Sequence, residues 1–229
     1  MQLLLSGLGA VIMSAICGLS GYFVVADERR DHGATATGPP LGDRLTDVAP
    51  LTLEEVFPAA KIRLAAGAAP YSIGMTHIDS DCGIAVTGRL GAVLANHACS
   101  QVVRAEMTAP YGGYRVTAGI FNLADEAGAT QAGEQARDVV ESGDGTFSAM
   151  GSGGPGMDPL SRPPAQVSWH EHGHYLVYCV IARPDGRIVR DDDRFARRIT
   201  VDLIQSYLGE RVVGRRTPSA ENPGLSAAG

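Results

Sequence analysis

Gln101-Val102-Val103-Arg104-Ala105-Glu106-Met107, then Pro110-Tyr111-Gly112-Gly113, then Tyr114-Arg115-Val116-Thr117-Ala118-Gly119-Ile120-Phe121-Asn122 is the stretch on which the fold turns. Apolar and β-branched residues alternate on both sides of a Pro and Gly turn, which is the pattern of a β-hairpin. Upstream, residues 81–96 read as a helix with Ile84, Leu90, Val93 and Leu94 toward one face and Ser80 or Asp81 near its start. Strand patterns precede it over 61–65 and 71–78, and Thr52 followed by Glu55 resembles a capping box for a short helix stopped by Pro58. Downstream, 124–141 is an Ala, Glu and Gln-rich helix. Residues 143–164 are rich in Gly, Ser, Pro and Met, too long for a plain connection, and are expected to form a mobile or functional loop. An apolar strand over 174–183 closes at Pro184-Asp185-Gly186, and a last helix runs from about Asp192 to Leu208. The order β-α-β-β-α-β-α predicts an α+β domain of the ferredoxin-like, split βαβ kind: an antiparallel sheet with its helices on one face.

Residues 2–26 carry no charged side chain, and the first charges arrive together at Asp27, Glu28, Arg29 and Arg30. About 20 residues span a bilayer core, whereas the apolar region of a signal peptide is about 7–15 residues long. The segment is therefore expected to be a single transmembrane helix in contact with the lipid bilayer. Val24 and Ala26 also fit a signal-peptidase site, and cleavage before Asp27 would release a secreted domain. No Lys or Arg precedes the helix and two Arg follow it, which taken alone would put the domain in the cytoplasm. The acidic neighbours of those arginines and the cysteine usage argue for the extracytoplasmic side. The expected organisation is an anchor over 2–26, a flexible tether over 27–50, an extracytoplasmic α+β domain over 51–209 and a disordered tail over 210–229.

The 229 residues include 19 basic and 25 acidic side chains, a net charge of −6. That balance excludes a broad nucleic-acid surface, which demands a clustered excess of Lys and Arg. An apolar fraction of 45% supports a packed core and excludes a wholly disordered chain.

Cys82 and Cys99 bracket the first helix, and a bridge between them would tie that helix to the sheet; two free buried thiols are the alternative. Neither has the close CxxC spacing of a redox or zinc site. Cys179 lies in an apolar strand and reads as a core residue. His170-Glu171-His172-Gly173-His174 matches HExxH, whose zinc chemistry needs a helix that sets both imidazoles on one metal with the glutamate beside the water. The β-rich run after it, Gly173 within it and Pro163-Pro164 before it favour a strand and a polar hairpin tip. A zinc hydrolase with Glu171 as catalytic base, His170 and His174 as ligands and Asp185 as third ligand is thus the alternative, and no metal, cofactor or catalytic residue the main expectation. Asp191, Asp192 and Asp193 are read as favourable charge at a helix N-terminus, and His97 as a polar residue at a helix C-terminus.

Asp81-Cys82, Gly88, Leu90, Leu94, Cys99 to Ala105, Tyr114, Val116 to Gly119, Phe121-Asn122-Leu123 and His174-Tyr175-Leu176 resemble a group of actinobacterial proteins with one N-terminal membrane helix. The resemblance implies an exported or membrane-anchored domain and brings no activity or catalytic residues with it. The expected role is a non-catalytic extracytoplasmic domain that binds a protein partner or small ligand. The other expectations are the zinc-dependent hydrolase and a structural subunit of a membrane complex.

Overall fold

The computed structural model describes residues 42–151 and 165–216. The segment expected to cross the membrane lies outside them. Among the described residues no helix is long and apolar enough to cross a membrane.

Six strands form one sheet: β1 (Lys61–Ile62), β2 (Tyr71–Asp79), β3 (Gln101–Thr108), β4 (Arg115–Asn122), β5 (Ala165–His172) and β6 (Tyr175–Ala182). Their order is β1-β2-β3-β4-β6-β5, and every neighbouring pair is antiparallel. The expected hairpin is present, in unbroken register from Gln101↔Asn122 to Thr108↔Arg115. Its turn places Gly112 and Gly113 at φ 55° and 69°, a region that costs glycine little and other residues more.

The helices are α1 (Leu53–Val56), α2 (Leu90–Asn96), α3 (Glu126–Glu141) and α4 (Arg194–Thr200), the last continuing as a π-helix over Val201–Val212. They cover both faces of the sheet, not one. Val103, Ala105, Val116, Ala118, Val177 and Cys179 pack with α1, α4 and its continuation. Val102, Phe121, Leu176, Tyr178 and Val180 pack with α2 and α3. The reason is visible in β6: Tyr175-Leu-Val-Tyr-Cys-Val-Ile181 is buried at every position. A strand apolar on both sides needs two covering layers.

The crossovers also depart from the ferredoxin-like arrangement. Because β4 and β5 each run antiparallel to β6, they are parallel to one another with β6 between them, and α3 makes the crossing: a split βαβ unit. The second such unit is absent among the described residues. The connection through α2 returns β3 to the side of β2 as a direct antiparallel partner.

The helix expected over 81–96 is broken. A 3-10 turn occupies Cys82–Ala85, and α2 begins at Leu90. Gly88 lies between them at φ +57°, against the carbonyl of Asp144, where a side chain has no room.

Both ends of the domain reach further than expected. Within the stretch read as tether, the Arg44 N–H donates to the Ala124 carbonyl (3.0 Å) and its guanidinium to the Ala98 carbonyl (2.8 Å). Within the stretch read as tail, Arg216 grips Asp47 with two bonds (2.9 and 2.8 Å) and also binds Glu55. The Tyr175 hydroxyl donates to the same Asp47 carboxylate (2.7 Å). Burial raises the Asp47 pKa, but bonds from Arg216 and Tyr175 more than offset this and hold it below its usual value.

Candidate functional site

The residues of the HExxH match do not converge. His170 and Glu171 lie in β5, where successive side chains leave opposite faces. Glu171 rests on α3 against Gly133, whereas His170 is solvent-exposed, with its Nδ1 3.9 Å from the Glu171 carboxylate. His174 is in the turn between β5 and β6, fully buried, with its ring against Tyr175 and its Nε2 4.0 Å from Asp47. Asp185 is engaged by Arg183 through two bonds (3.0 and 2.9 Å), which hold its carboxyl at about 2. The strand displaces the helix that would bring positions i and i+4 to one metal. Among the described residues no group of three or more His, Cys, Asp or Glu is placed to hold a metal ion. The zinc arrangement of His170, Glu171, His174 and Asp185 is therefore not formed.

The other residues singled out have structural partners. Cys82 and Cys99 lie at bonding distance, 2.09 Å between sulfurs. Cys179 is buried, and burial pushes its thiol up to about 12, so the nucleophilic thiolate is suppressed. Asp193 caps α4, accepting from the Phe195 and Ala196 N–H groups (3.0 and 3.1 Å). His97 caps the C-terminus of α2. Trp169 donates to the Gly133 carbonyl (3.1 Å) and packs on Phe147.

A groove of about 450 Å³ opens where the segment leading into α1 passes over the ends of β2, β3 and β4. Arg44, Val48, Ile78, Ser80, Ser100 and Asn122 line it. One wall is rigid because Gln101 clamps the backbone of Leu51, accepting from its N–H (3.0 Å) and donating to its carbonyl (2.9 Å). Ser100 is fixed through its hydroxyl to the Asn122 carbonyl (3.3 Å). Val48 and Ile78 are exposed apolar side chains on its rim. The Asn122 side chain is 3% exposed, and its Oδ1 has no hydrogen-bond partner. Buried acceptors are seldom left unsatisfied, because each such group forgoes about 1–3 kcal/mol. The groove thus offers a buried acceptor, a guanidinium and two apolar flanks.

Sequence reasoning passed over Asn122 as the last residue of a strand. Its signal was an amide directly after Val116 to Phe121, a run apolar enough to be buried on both sides. Arg44 carried no signal at all. In comparisons with known proteins, the chain matches no family model, no curated protein and no solved structure.

Proposed function

We propose that this chain is a membrane-anchored extracytoplasmic binding domain. Residues 2–26 hold it to the bilayer, and the groove beside Arg44 and Asn122 takes a small ligand or a short piece of a protein partner, without chemistry on it. The single observation that carries this reading is the buried, unpartnered Oδ1 of Asn122 in the wall of a groove with apolar flanks. A ligand N–H or O–H would satisfy that acceptor, with its apolar part against Val48 and Ile78. The Cys82–Cys99 pair supports the extracytoplasmic side, since oxidising compartments preserve disulfides. The resemblance to single-span actinobacterial proteins belongs to the same reading.

A fragment screen on the full chain in nanodiscs, read by amide and side-chain NMR shifts, tests the groove. Hits that shift Ser80, Ser100 and Asn122 together and vanish in Asn122→Leu support it, and a screen with no shifts at those residues overturns it. Labelling of intact cells with a membrane-impermeant thiol reagent after reduction tests the side. Cys82 and Cys99 should be labelled without permeabilisation, and labelling only after lysis would put the domain inside.

A further inference from the structure

A hollow of about 510 Å³ lies between the chain just past β1, at Leu64 and Ala65, and the helix that continues α4. Along that helix Arg198, Asp202, Ser206 and Glu210 follow one another at four-residue spacing, so they share one face. Together with Arg211 and Arg215 they line the hollow. The helix is of the π form over Val201–Val212, a rare winding that recurs at functional sites.

The charges in this hollow are not balanced. The Asp202 carboxylate is buried and already accepts from Tyr71 (2.9 Å), Tyr111 (2.7 Å) and Arg198 (2.8 Å), so it neutralises Arg198 and no other arginine. Arg211 donates to two main-chain carbonyls, those of Arg63 (2.8 Å) and Leu64 (2.7 Å). These fix the guanidinium in the wall without neutralising it and leave its remaining N–H groups for another acceptor. Arg215 is exposed, and among the described residues its guanidinium has no hydrogen-bond or ion-pair partner. Burial raises the Tyr207 pKa, and Arg211 and Arg215 both oppose this, so both positive charges stand near one phenol. Glu210 is the remaining acid of the lining, which leaves two un-neutralised guanidiniums against one carboxylate. From Arg194 to Arg216 the sequence holds six arginines against two acids, in a chain of net charge −6, so the positive excess is local.

We propose that this hollow binds a phosphate group, held by the Arg211 and Arg215 guanidiniums with the Ser206 hydroxyl as a neutral donor. Guanidinium forks match phosphate oxygens, and a fork already fixed on main-chain carbonyls loses little freedom on binding. A phosphate presents enough oxygens for two forks and a hydroxyl at once, whereas a carboxylate has only two. The group could belong to a soluble phosphate compound or to the headgroup of an anionic lipid. The hollow shares no residue with the groove beside Asn122, so each stands or falls by itself.

The test is titration of the full chain, in maltoside micelles that contain no phosphate, with sodium phosphate at constant ionic strength. Sodium chloride and sodium acetate are the comparison anions, and glycerophosphoglycerol, the soluble headgroup of phosphatidylglycerol, is a parallel arm. The readout is the Nε–H NMR signal of Arg211, which every variant used retains. The expected result is a saturable shift with phosphate, weakened about tenfold in Arg215→Gln, as loss of a charge-assisted hydrogen bond predicts. Glu210→Gln removes the opposing carboxylate and should tighten binding several-fold. Arg215→Gln breaks no side-chain bond of the fold, so it separates binding from folding. Tighter binding of phosphate assigns the site to soluble phosphate compounds and tighter binding of glycerophosphoglycerol to a lipid headgroup, and either supports the proposal. It is overturned if neither compound saturates, if Arg215→Gln binds as well as the native chain, or if acetate or chloride acts as well as phosphate.

Discussion

The two faces of the sheet treat their tyrosines in opposite ways. On the face covered by α4, Tyr71 and Tyr111 both donate to Asp202 (2.9 and 2.7 Å), Tyr114 donates to Asp193 (2.6 Å) and Tyr207 to the Val56 carbonyl (2.8 Å). On the face covered by α2 and α3, Tyr178 is as deeply buried as any of them and has no acceptor. Tyr71 and Tyr178 are both fully buried, so burial alone does not explain the contrast. A hydroxyl with a matched acceptor holds the fold together. One without lowers stability, which a protein tolerates where the group serves something other than the fold.

The contrast is broken most directly at Asp202. This carboxylate is 3% exposed and gathers Tyr71, Tyr111 and Arg198, the last at 2.8 Å. Asp202→Ala leaves two tyrosine hydroxyls without their acceptor, and urea unfolding should show a loss of about 3–4 kcal/mol. A loss under about 1 kcal/mol would mean that water replaces the carboxylate and that the polar matching on this face is incidental.

On the other face, the 3-10 turn at Cys82 is tied to Cys99, just past the end of α2, at a sequence separation of 17. In the chain-entropy account a loop of this size contributes about 3 kcal/mol, so Cys82→Ser with Cys99→Ser should lower stability by roughly that amount. A smaller loss would show that Leu90, Leu94 and Phe121 hold the turn without the bond.

The sharpest form of the comparison is a pair of identical substitutions. Tyr71→Phe removes a matched hydroxyl and should lose about 1–2 kcal/mol. Tyr178→Phe removes an unmatched one and should be neutral or stabilising by up to about 1 kcal/mol. Equal losses in both would erase the distinction between the faces.

Much of this architecture was readable from residue patterns. The hairpin over 101–122 combines period-two alternation with glycines that accept positive φ, two signals that agree. The β-rich run after the HExxH match argued against a helix there and placed its residues at a hairpin tip, whereas β5 extends through His170 and Glu171 to His172. Coverage of both faces was missed, although the unbroken apolar run of β6 is its sequence signature. The break at Gly88 was missed because it depends on the Asp144 carbonyl, more than fifty residues away. The candidate sites were the least legible part. Asn122 looks like an ordinary strand residue, and what distinguishes it is a missing partner, which depends on register and on which side chain faces which.

The smallest effect is expected at the tip of β5, where the two faces meet. Burial, with His170 as the next contributor, lowers the His172 pKa below its usual 6.5. The unfolded chain then takes up the proton more readily than the native one. The contribution of His172 is therefore fully present above about pH 6.5 and is lost progressively as pH falls from there through the lowered native value. Three other groups have lowered values, and all are carboxylates; one is Asp185, which Arg183 holds at about 2. Asp47 is held down by Arg216 and Tyr175 against the effect of burial, and Asp193 by Tyr114 and two backbone N–H groups against the same effect. Their contributions are present above the ordinary carboxylate value near 3.8 and decline only below it, so the windows are separate. Melting temperature followed from pH 7.5 to 5 should fall slightly in the native sequence and be flatter in His172→Gln. An identical slope in the two would show that His172 is not the source of the change.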